Sequence, residues 1–491
     1  MKKVPTAISP VIAVNRKAAK PLHKQVYDAY RAMIVGRNLT VGQQIPSTRT
    51  LAAELKISRI PVLTAYAQLL AEGYFESHAG SGTFVCRSLP ELLKSTERRT
   101  SRPREVHSGP RPIAERALRL PPYKKLPWMG ASGPFSLGQP AFDQFPFHIW
   151  SHLVMRHCRN PHASALQYGG PQGSQHLRIA ICTYLRTARA VHCDPQQVMI
   201  VTGSQQALDI SARVLLDPGN PVWMEEPGYW LTRYVLIAAG ARLVPVPVDG
   251  EGLNVSIGVK LCRKARAAFV APSHQYPLGA TMSASRRLQL LDWAQRSGSW
   301  IIEDDYDSEY RYDSMPIASL QGLDQNSRVI YVGTFSKTLF PSLRLGYVVI
   351  PGDLVDRFAA IRNAMDVGPP TFYQEVLADF MNEGHFARHI RRMRLLYGER
   401  RTALVQALRK EFGSQIEILG AEAGMHLAVI IPNGLRDKEI ATRASRENFW
   451  LWPLSPTYIG DNSRQGFVLG FGCTQAADMP GAVRRLKNAL K

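Results

Sequence analysis

The stretch VIYVGTFSKTLFPSLRLGY, residues 329–347, decides the fold of the larger part of the chain. It opens with residues that are apolar on both faces, as in a buried parallel strand. Lys337 follows just past the end of this strand, where its amine can form a Schiff base with an aldehyde. The hydroxyls of Thr334 and Ser336 precede the lysine, and Arg344 lies seven residues after it; such groups can hold a phosphate.

Four more apolar runs precede this stretch and alternate with helical patterns. They are residues 197–201, 221–224, 267–270 and 300–302. Strands that alternate with helices predict an α/β fold with a mainly parallel sheet. Ligands bind outside the carboxyl ends of such strands, so the polar clusters after these runs form the candidate site.

Two of these clusters have a clear chemical use. Three acids and a tyrosine, residues 303–306, follow the run at 300–302. A carboxylate there can pair with a protonated pyridine nitrogen, and position alone leaves Asp304 and Asp305 both open. A glycine turn and a helix start follow the run at 197–201, and the free amides of a first helical turn suit a phosphate.

The lysine segment resembles the S/T-x-S-K-x(6)-R signature of the fold-type I enzymes that use pyridoxal 5′-phosphate (PLP). The resemblance implies a PLP domain with a small C-terminal α/β subdomain. Lys337 would form the cofactor aldimine, and Asp304, the second catalytic residue, would pair with the pyridine nitrogen; Asp305 is the alternative. The other implied cofactor ligands are Tyr306 at the phenolic oxygen, Tyr229 stacked on the ring, Ser204, Gln205, Thr334, Ser336 and Arg344 at the phosphate, and Tyr168 at the phosphate across a dimer interface.

The sequence departs from the aminotransferase pattern at two places. Residues 272–279, PSHQYPLG, occupy the position of the N-P-x-x-P-T-G loop of many aminotransferases but lack its asparagines. Aminotransferases also hold the α-carboxylate with an arginine shortly before an aromatic residue near the C-terminus, and Val468 occupies that position here. Arg464 is the predicted ligand of an effector carboxylate, with Arg233 as the alternative.

The first 87 residues predict a DNA-binding module. Helical apolar spacing over 21–36 is followed by two short helices around the turn at 56–58 and by a hairpin with a glycine-rich tip. Two short helices joined by such a turn predict a helix-turn-helix. The segments PSTR at 46–49, SRIPV at 58–62 and GSGTFV at 80–85 resemble the GntR-type winged helix.

Physical chemistry assigns roles within this module. The N-terminal end of the third helix would enter the major groove, where Arg59 can contact a phosphate or a guanine edge. Arg49, at the start of the preceding helix, is predicted to bind a phosphate. Further predicted DNA-binding residues are Ser58 and Thr64 on the third helix, and Gly80 and Gly82, which let the wing backbone approach the minor groove.

Positive charge is concentrated at the start of the chain. The formal net charge is +21; residues 1–87 hold 12 lysines and arginines against 4 acids, and residues 88–125 hold 10 against 4. A concentrated positive field favours a polyanion partner such as double-stranded DNA. The predicted organisation is a tail over 1–20, the winged helix-turn-helix over 21–87, a basic proline-rich linker over 88–125 and the PLP domain over 126–491.

Other classes of protein do not fit the composition. Six scattered cysteines without metal-ligand spacing predict reduced thiols in a cytoplasm and no metal site. The sequence contains no run of 18 or more apolar residues, so it predicts no membrane span.

The fusion of the two halves resembles the MocR/GabR subfamily of GntR regulators. The resemblance implies a homodimer that binds promoter repeats and senses an amino compound or a B6 vitamer through its aminotransferase-like domain. Two alternatives stay open at this point: an active PLP-dependent aminotransferase that carries a DNA-binding domain, and a regulator whose domain does not use PLP.

Overall fold

The computed structural model describes residues 12–78, 80–87, 111–129, 133–159, 161, 167–312, 317–460 and 463–491. The chain divides into two compact units, Met1–Pro112 and Ile113–Lys491. Most of the predicted linker, residues 88–110, and more than half of the predicted tail, residues 1–11, lie outside the described residues. None of the described helices is both long enough and apolar enough to cross a membrane.

The described residues of the first unit form three helices and a small antiparallel sheet. Its elements are α1 (Leu22–Val35), β1 (Gln44–Ile45), α2 (Thr48–Glu54), α3 (Arg59–Ala71), β2 (Phe75–His78) and β3 (Gly82–Val85). The strand order is β1-β3-β2. The sequence predicted the helices and the β2–β3 hairpin but not β1, because two residues are too few to show a periodicity.

Local signals and aromatic packing fix this unit. The Ser47 side chain accepts the Thr50 amide and begins α2, as expected of an N-cap serine. Ser58 takes the same position before α3, but its side chain makes no capping bond, which differs from the expectation that it caps the helix. The rings of Tyr30, Tyr66 and Phe75 pack edge to face with centroids 5.2–5.6 Å apart, so α1, α3 and the wing share one core.

The second unit has an eight-stranded sheet with helices around it. Its strands are β4 (Val198–Val201), β5 (Pro221–Glu226), β6 (Arg242–Asp249), β7 (Gly252–Leu253), β8 (Ala267–Val270), β9 (Trp300–Asp305), β10 (Val329–Thr334) and β11 (Gly346–Val349). The strand order is β4-β11-β10-β9-β8-β5-β6-β7. Only β11 and β7 run antiparallel to their neighbours, so the sheet is mainly parallel, as the sequence predicted.

The described residues of this unit also form a smaller antiparallel sheet and thirteen α-helices. The small sheet has the order β12-β13-β15-β14, with β12 (Glu417–Leu419), β13 (His426–Ile430), β14 (Trp452–Pro453) and β15 (Gly466–Gly470). The helices are α4 (Glu115–Leu118), α5 (Phe147–Arg159), α6 (Gln175–Arg189), α7 (Ser204–Leu215), α8 (Trp230–Ala238), α9 (Val255–Cys262), α10 (Ala284–Ser297), α11 (Leu320–Leu323), α12 (Val355–Asp366), α13 (Phe372–Asn382), α14 (His385–Phe412), α15 (Asp437–Arg446) and α16 (Met479–Ala489).

The acidic cluster lies inside β9 and not after it, contrary to the sequence-based expectation. The strand tolerates these buried acids because each has a different environment. Glu303 accepts the amides of Leu320 and Gln321 at 2.9 Å each. Asp305 accepts Nε of Arg189 at 2.8 Å and the hydroxyl of Tyr331 at 2.5 Å. Since side chains alternate along a strand, Asp304 faces away from this ion pair.

The buried ion pair of Arg189 and Asp305 gives a stability prediction. Both side chains are less than 5% exposed, so Arg189→Ala leaves a buried carboxylate without its cation. We expect a loss of about 3–5 kcal/mol in the free energy of unfolding of the second unit, measured by chemical denaturation. Arg213→Ala removes an exposed partner of Asp209 and should cost less than about 1 kcal/mol. Equal losses in the two variants would contradict the prediction.

Candidate functional site

A cavity of about 350 Å³ lies at the carboxyl ends of the parallel strands. Both the large sheet and the small sheet contribute to its walls. Nine of the ten predicted cofactor ligands line it: Ser204, Gln205, Tyr229, Asp304, Tyr306, Thr334, Ser336, Lys337 and Arg344. The tenth, Tyr168, is 95% exposed and does not line it.

Lys337 lies in a confined position just after β10. Its Nζ donates to the Gly138 carbonyl at 3.3 Å. Burial lowers the pKa of Lys337, and the carboxylates of Asp307 and Asp304 oppose that shift. A Cβ at Gly138 would lie 2.1 Å from Nζ, and the positive φ of 64° at this position also favours a glycine. Nothing in the local sequence singled out Gly138, which is 199 residues away in the chain.

Asp304 and Asp305 differ in their partners, and the geometry favours Asp304 as the pyridine partner. Asp304 lines the cavity, and its Oδ1 is buried without a hydrogen-bond partner among the described residues. Burial, followed by repulsion from Asp305, raises the pKa of Asp304 to about 7. A protonated pyridine nitrogen supplies the cation that such a carboxylate lacks. Asp305 is already paired with Arg189.

The opposite end of the cavity suits a phosphate. Helix α7 begins after Gly203, which has a positive φ of 95° and no capping side chain, so its first amides are open. Arg344 approaches the same point, since a Cβ on Gly203 would lie 3.4 Å from its guanidinium nitrogens. The amides of a helix N-terminus with an adjacent guanidinium form an anion site. The residues therefore fit PLP at both of its ends.

Residues 272–279, the loop that lacks the aminotransferase asparagines, place His274 beside the cavity residues Tyr306 and Asp307. Tyr306 donates its hydroxyl to the His274 carbonyl at 2.8 Å, and His274 Nδ1 lies 3.1 Å from both oxygens of Asp307. His426 of β13 packs beside His274 with ring centroids 4.6 Å apart. Among the described residues His274, Asp307 and His426 form a group whose potential metal-ligating atoms lie within 4.8 Å of one another. Sequence reasoning missed Asp307 and His426 because neither stands in a recognisable motif.

Neither predicted effector arginine lines the cavity. Arg464 is exposed and forms an ion pair with Glu417. Arg233 is half-buried on α8, and its guanidinium lies 3.4 Å from the Tyr458 carbonyl. Val468 is fully buried in β15, opposite Ala428 of β13 and next to Trp452 of β14.

The predicted DNA-binding residues are exposed on the first unit. Arg49, Ser58, Arg59 and Thr64 are all exposed on or beside α2 and α3. Nε of Arg59 donates to Thr48 Oγ1 at 3.0 Å, which holds this arginine against the start of α2. Gly80 and Gly82 have positive φ values of 74° and 108° at the wing tip, a conformation that favours glycine.

Comparison with known proteins agrees with both units. Residues 22–85 match the family described as bacterial regulatory proteins, gntR family, and residues 135–459 match aminotransferase class I and II. A protein named probable rhizopine catabolism regulatory protein MocR, from Rhizobium meliloti, is 39% identical over 98% of this chain and 96% of its own length. The chain belongs to the MocR/GabR subfamily of GntR transcription regulators.

Two further proteins, a regulator and an aminotransferase, are similar to this MocR/GabR-type chain. The HTH-type pyridoxine biosynthesis transcriptional regulator PdxR of Corynebacterium glutamicum is 31% identical over 94% of both chains. A multiple substrate aminotransferase from Thermococcus profundus matches 77% of this chain and 97% of its own, with a TM-score of 0.71 and 28% identity. The predicted regulator class and fold class are therefore confirmed. The first unit binds DNA and PLP is the cofactor of the second, whereas the roles of single residues stay predictions.

The unpaired Asp304 gives a pH prediction for the protein freed of cofactor. Because the folded pKa is raised, the stability that the neutral carboxyl contributes is present below about pH 4 and is lost as the pH rises through about 7. We expect Asp304→Asn to reduce the stability lost between pH 4 and pH 8 by roughly 2–4 kcal/mol, measured by unfolding at each pH. Some loss remains, because burial also raises the pKa of Glu303 and of Glu309 to about 7.

A matched control and the cofactor complete this test. Asp209→Asn removes a carboxylate that pairs with an exposed arginine and should leave the pH profile unchanged. Saturation with PLP should flatten the wild-type profile more than that of Asp304→Asn. An identical profile for wild type and Asp304→Asn, with and without PLP, would rule out Asp304 as the partner of the cofactor.

Proposed function

We propose that this MocR/GabR-type regulator changes its binding to promoter DNA when a small amine takes the place of Lys337 on bound PLP. The observation that supports the proposal is the cavity itself, which brings together a buried lysine, an unpaired carboxylate and a helix N-terminus with an arginine beside it. PLP, when bound, supplies an aldehyde and an electron sink for bound amines. The chain's own residues hold the phosphate, orient the ring and keep the lysine amine confined.

Lys337 and Asp304 divide the work in the cavity. Burial lowers the pKa of Lys337, which favours the neutral amine that bonds to an aldehyde. Asp304 is proposed to hold a proton on the pyridine nitrogen. If an amine took the place of Lys337 on PLP, the buried lysine side chain would be released. Such a change can shift the conformation of the second unit and, through it, DNA binding.

We also propose that the chain acts as a homodimer. Tyr168, predicted to reach the phosphate of a second copy, is 95% exposed. Large apolar side chains are also exposed on two helices. Phe147 and Met155 of α5 are 53% and 49% exposed, and Tyr373 of α13 is 49% exposed. Helices α5 and α13 pack against each other. Apolar side chains exposed on packed helices are typical of a face that meets another protein surface, which supports a second copy as the partner.

The charges of the cavity indicate which amine is sensed. Among the described lining residues, Lys337 and Arg344 are the only lysine and arginine, against the carboxyl groups of Glu225, Asp304 and Asp307. Lys337 is proposed to bond to PLP, and Arg344 is proposed to bind the phosphate, so neither cation is left for an effector. An effector carboxylate would then be buried without a cation, which costs several kcal/mol.

The small sheet does not supply a cation for an effector carboxylate either. Leu427, Val429, Phe467 and Leu469 belong to the hydrophobic core on one face of this sheet. Strand alternation therefore places Ala428 and Val468 on the other face, which also carries His426 and Trp452 of the cavity wall. Burial lowers the pKa of His426 to about 3, so this face offers a neutral imidazole and apolar groups. We propose an effector amine without a carboxylate, with hydroxyl or further amino groups.

The first experiment measures DNA binding and visible absorption together. The full-length protein with PLP is titrated with amines, rhizopine and pyridoxine vitamers while its affinity for the promoter of the adjacent gene is followed. We expect one compound to shift the absorption band and the promoter affinity over the same concentration range. Lys337→Ala should lack the starting absorption band and lose the change in promoter affinity, because no lysine is left for the effector to displace.

Two results would alter this proposal. Unchanged promoter affinity and footprint for every compound that shifts the band would reject the coupling. A band that disappears with an amine and returns with a keto acid would show amino-group transfer. That outcome favours the alternative function, an aminotransferase that carries a DNA-binding domain.

The effector class is tested by a gain of function. Ethanolamine and L-serine, and likewise putrescine and L-ornithine, differ only by a carboxylate. Wild type should bind the carboxylate-free member at least tenfold more tightly, as read from the absorption band. Val468→Arg should reverse this preference, since a bidentate guanidinium–carboxylate pair is strong, while Val468→Met, of similar bulk without charge, should not. A wild type that prefers the amino acids would contradict the proposed class.

A further inference from the structure

The outward face of α3 has an unusual composition for a helix that reads DNA. Val62, Ala65, Tyr66 and Leu69 bury the inner face. With 3.6 residues per turn, the opposite face carries Ile60, Thr64, Ala67 and Ala71, all of them exposed. None of these four side chains is charged or carries an amide. Gln68, at the margin of this face, donates its amide to Glu72 at 2.8 Å. The centre of the face that would enter the major groove therefore offers no charged group or amide.

Ile60 is the most prominent residue of this face. It is 73% exposed at the second position of the helix, and Leu63 beside it is 43% exposed. The hydroxyl of Thr64 donates to the Ile60 carbonyl at 3.1 Å, so this polar group is already satisfied within the helix. Thr64 can then present its methyl group outward.

The nearby arginines lie at the sides of this face. Arg59 is one residue before Ile60, about 100° around the helix, and donates to Thr48 of α2. Arg49 lies at the start of α2 and is exposed. Both positions suit phosphates that flank the groove, and phosphate contacts position a protein without reading sequence.

An A·T base pair offers an apolar group in the major groove, the C5-methyl of thymine, which a G·C pair lacks. We propose that Ile60 contacts a thymine methyl in each half-site, with the Thr64 methyl and Leu63 packed beside it. Sequence reading by this helix then depends on methyl contacts, and Arg49 and Arg59 fix its register on the phosphates. This proposal rests on the DNA binding of the family and is independent of the proposed effector.

The test removes the methyl group from the DNA and its contact from the protein. A promoter fragment bound by the full-length protein is footprinted, and each protected thymine is replaced in turn by deoxyuracil. For at least one position in each half-site we expect the wild-type affinity to fall about fourfold, the value of one buried carbon. Ile60→Ala should bind the thymine fragment more weakly and show no further loss with deoxyuracil there.

Arg49→Ala is the matched control on the same unit. It should weaken binding equally for thymine and deoxyuracil and reduce the dependence of affinity on salt. The thermal unfolding of Ile60→Ala should match wild type, because an exposed side chain adds little to the fold. The proposal is overturned if no deoxyuracil replacement weakens binding, or if Ile60→Ala retains the wild-type loss. A change in oligomeric mass in Ile60→Ala, with unchanged DNA affinity, would instead assign this face to a second copy and also overturn it.

Discussion

The second unit depends on two adjacent carboxyl groups of one buried strand, of which one is paired with a cation and the other is not. Asp305 is neutralised by Arg189 and Tyr331, which anchors β9 to α6 and β10. Because side chains alternate along a strand, this anchor forces Asp304 to the other side, toward the cavity, where its Oδ1 has no partner among the described residues. The fold thus maintains one unpaired acid at the place where we propose that the cationic ring nitrogen binds, and the ion pair next to it keeps that acid in position.

Sequence reasoning identified the features that local chemistry dictates. Short motifs were enough to propose a role for the lysine after a buried strand, the glycine before a helix and the two hydroxyls before the lysine. Nine of the ten proposed ligands line one cavity. The sequence left Asp304 and Asp305 open, because only the position of Arg189 in space separates them. Gly138 and His426 were missed for the same reason: their neighbours in space are distant in the chain. The face of α3 was also underestimated, since a polar residue such as Thr64 looks available until its bond to Ile60 is seen.

The two units use charge in different ways. In the first unit Arg49 and Arg59 flank the outward face of α3, and the exposed side chains of that face, Ile60, Thr64, Ala67 and Ala71, carry no charge. The second unit buries more acids than cations around its cavity, so cations and neutral polar groups are better accommodated there than anions. Each unit therefore selects its partner partly by the groups that it omits.

The unpaired carboxyl also links this regulator to the supply of its cofactor in the cell. A domain that buries a lone acid is least stable when empty, and a ligand that binds only the folded form adds stability as its concentration rises. Cellular proteases remove the less stable of two forms more quickly. The amount of regulator in the cell would then follow the supply of vitamin B6 through protein turnover, before any promoter is bound.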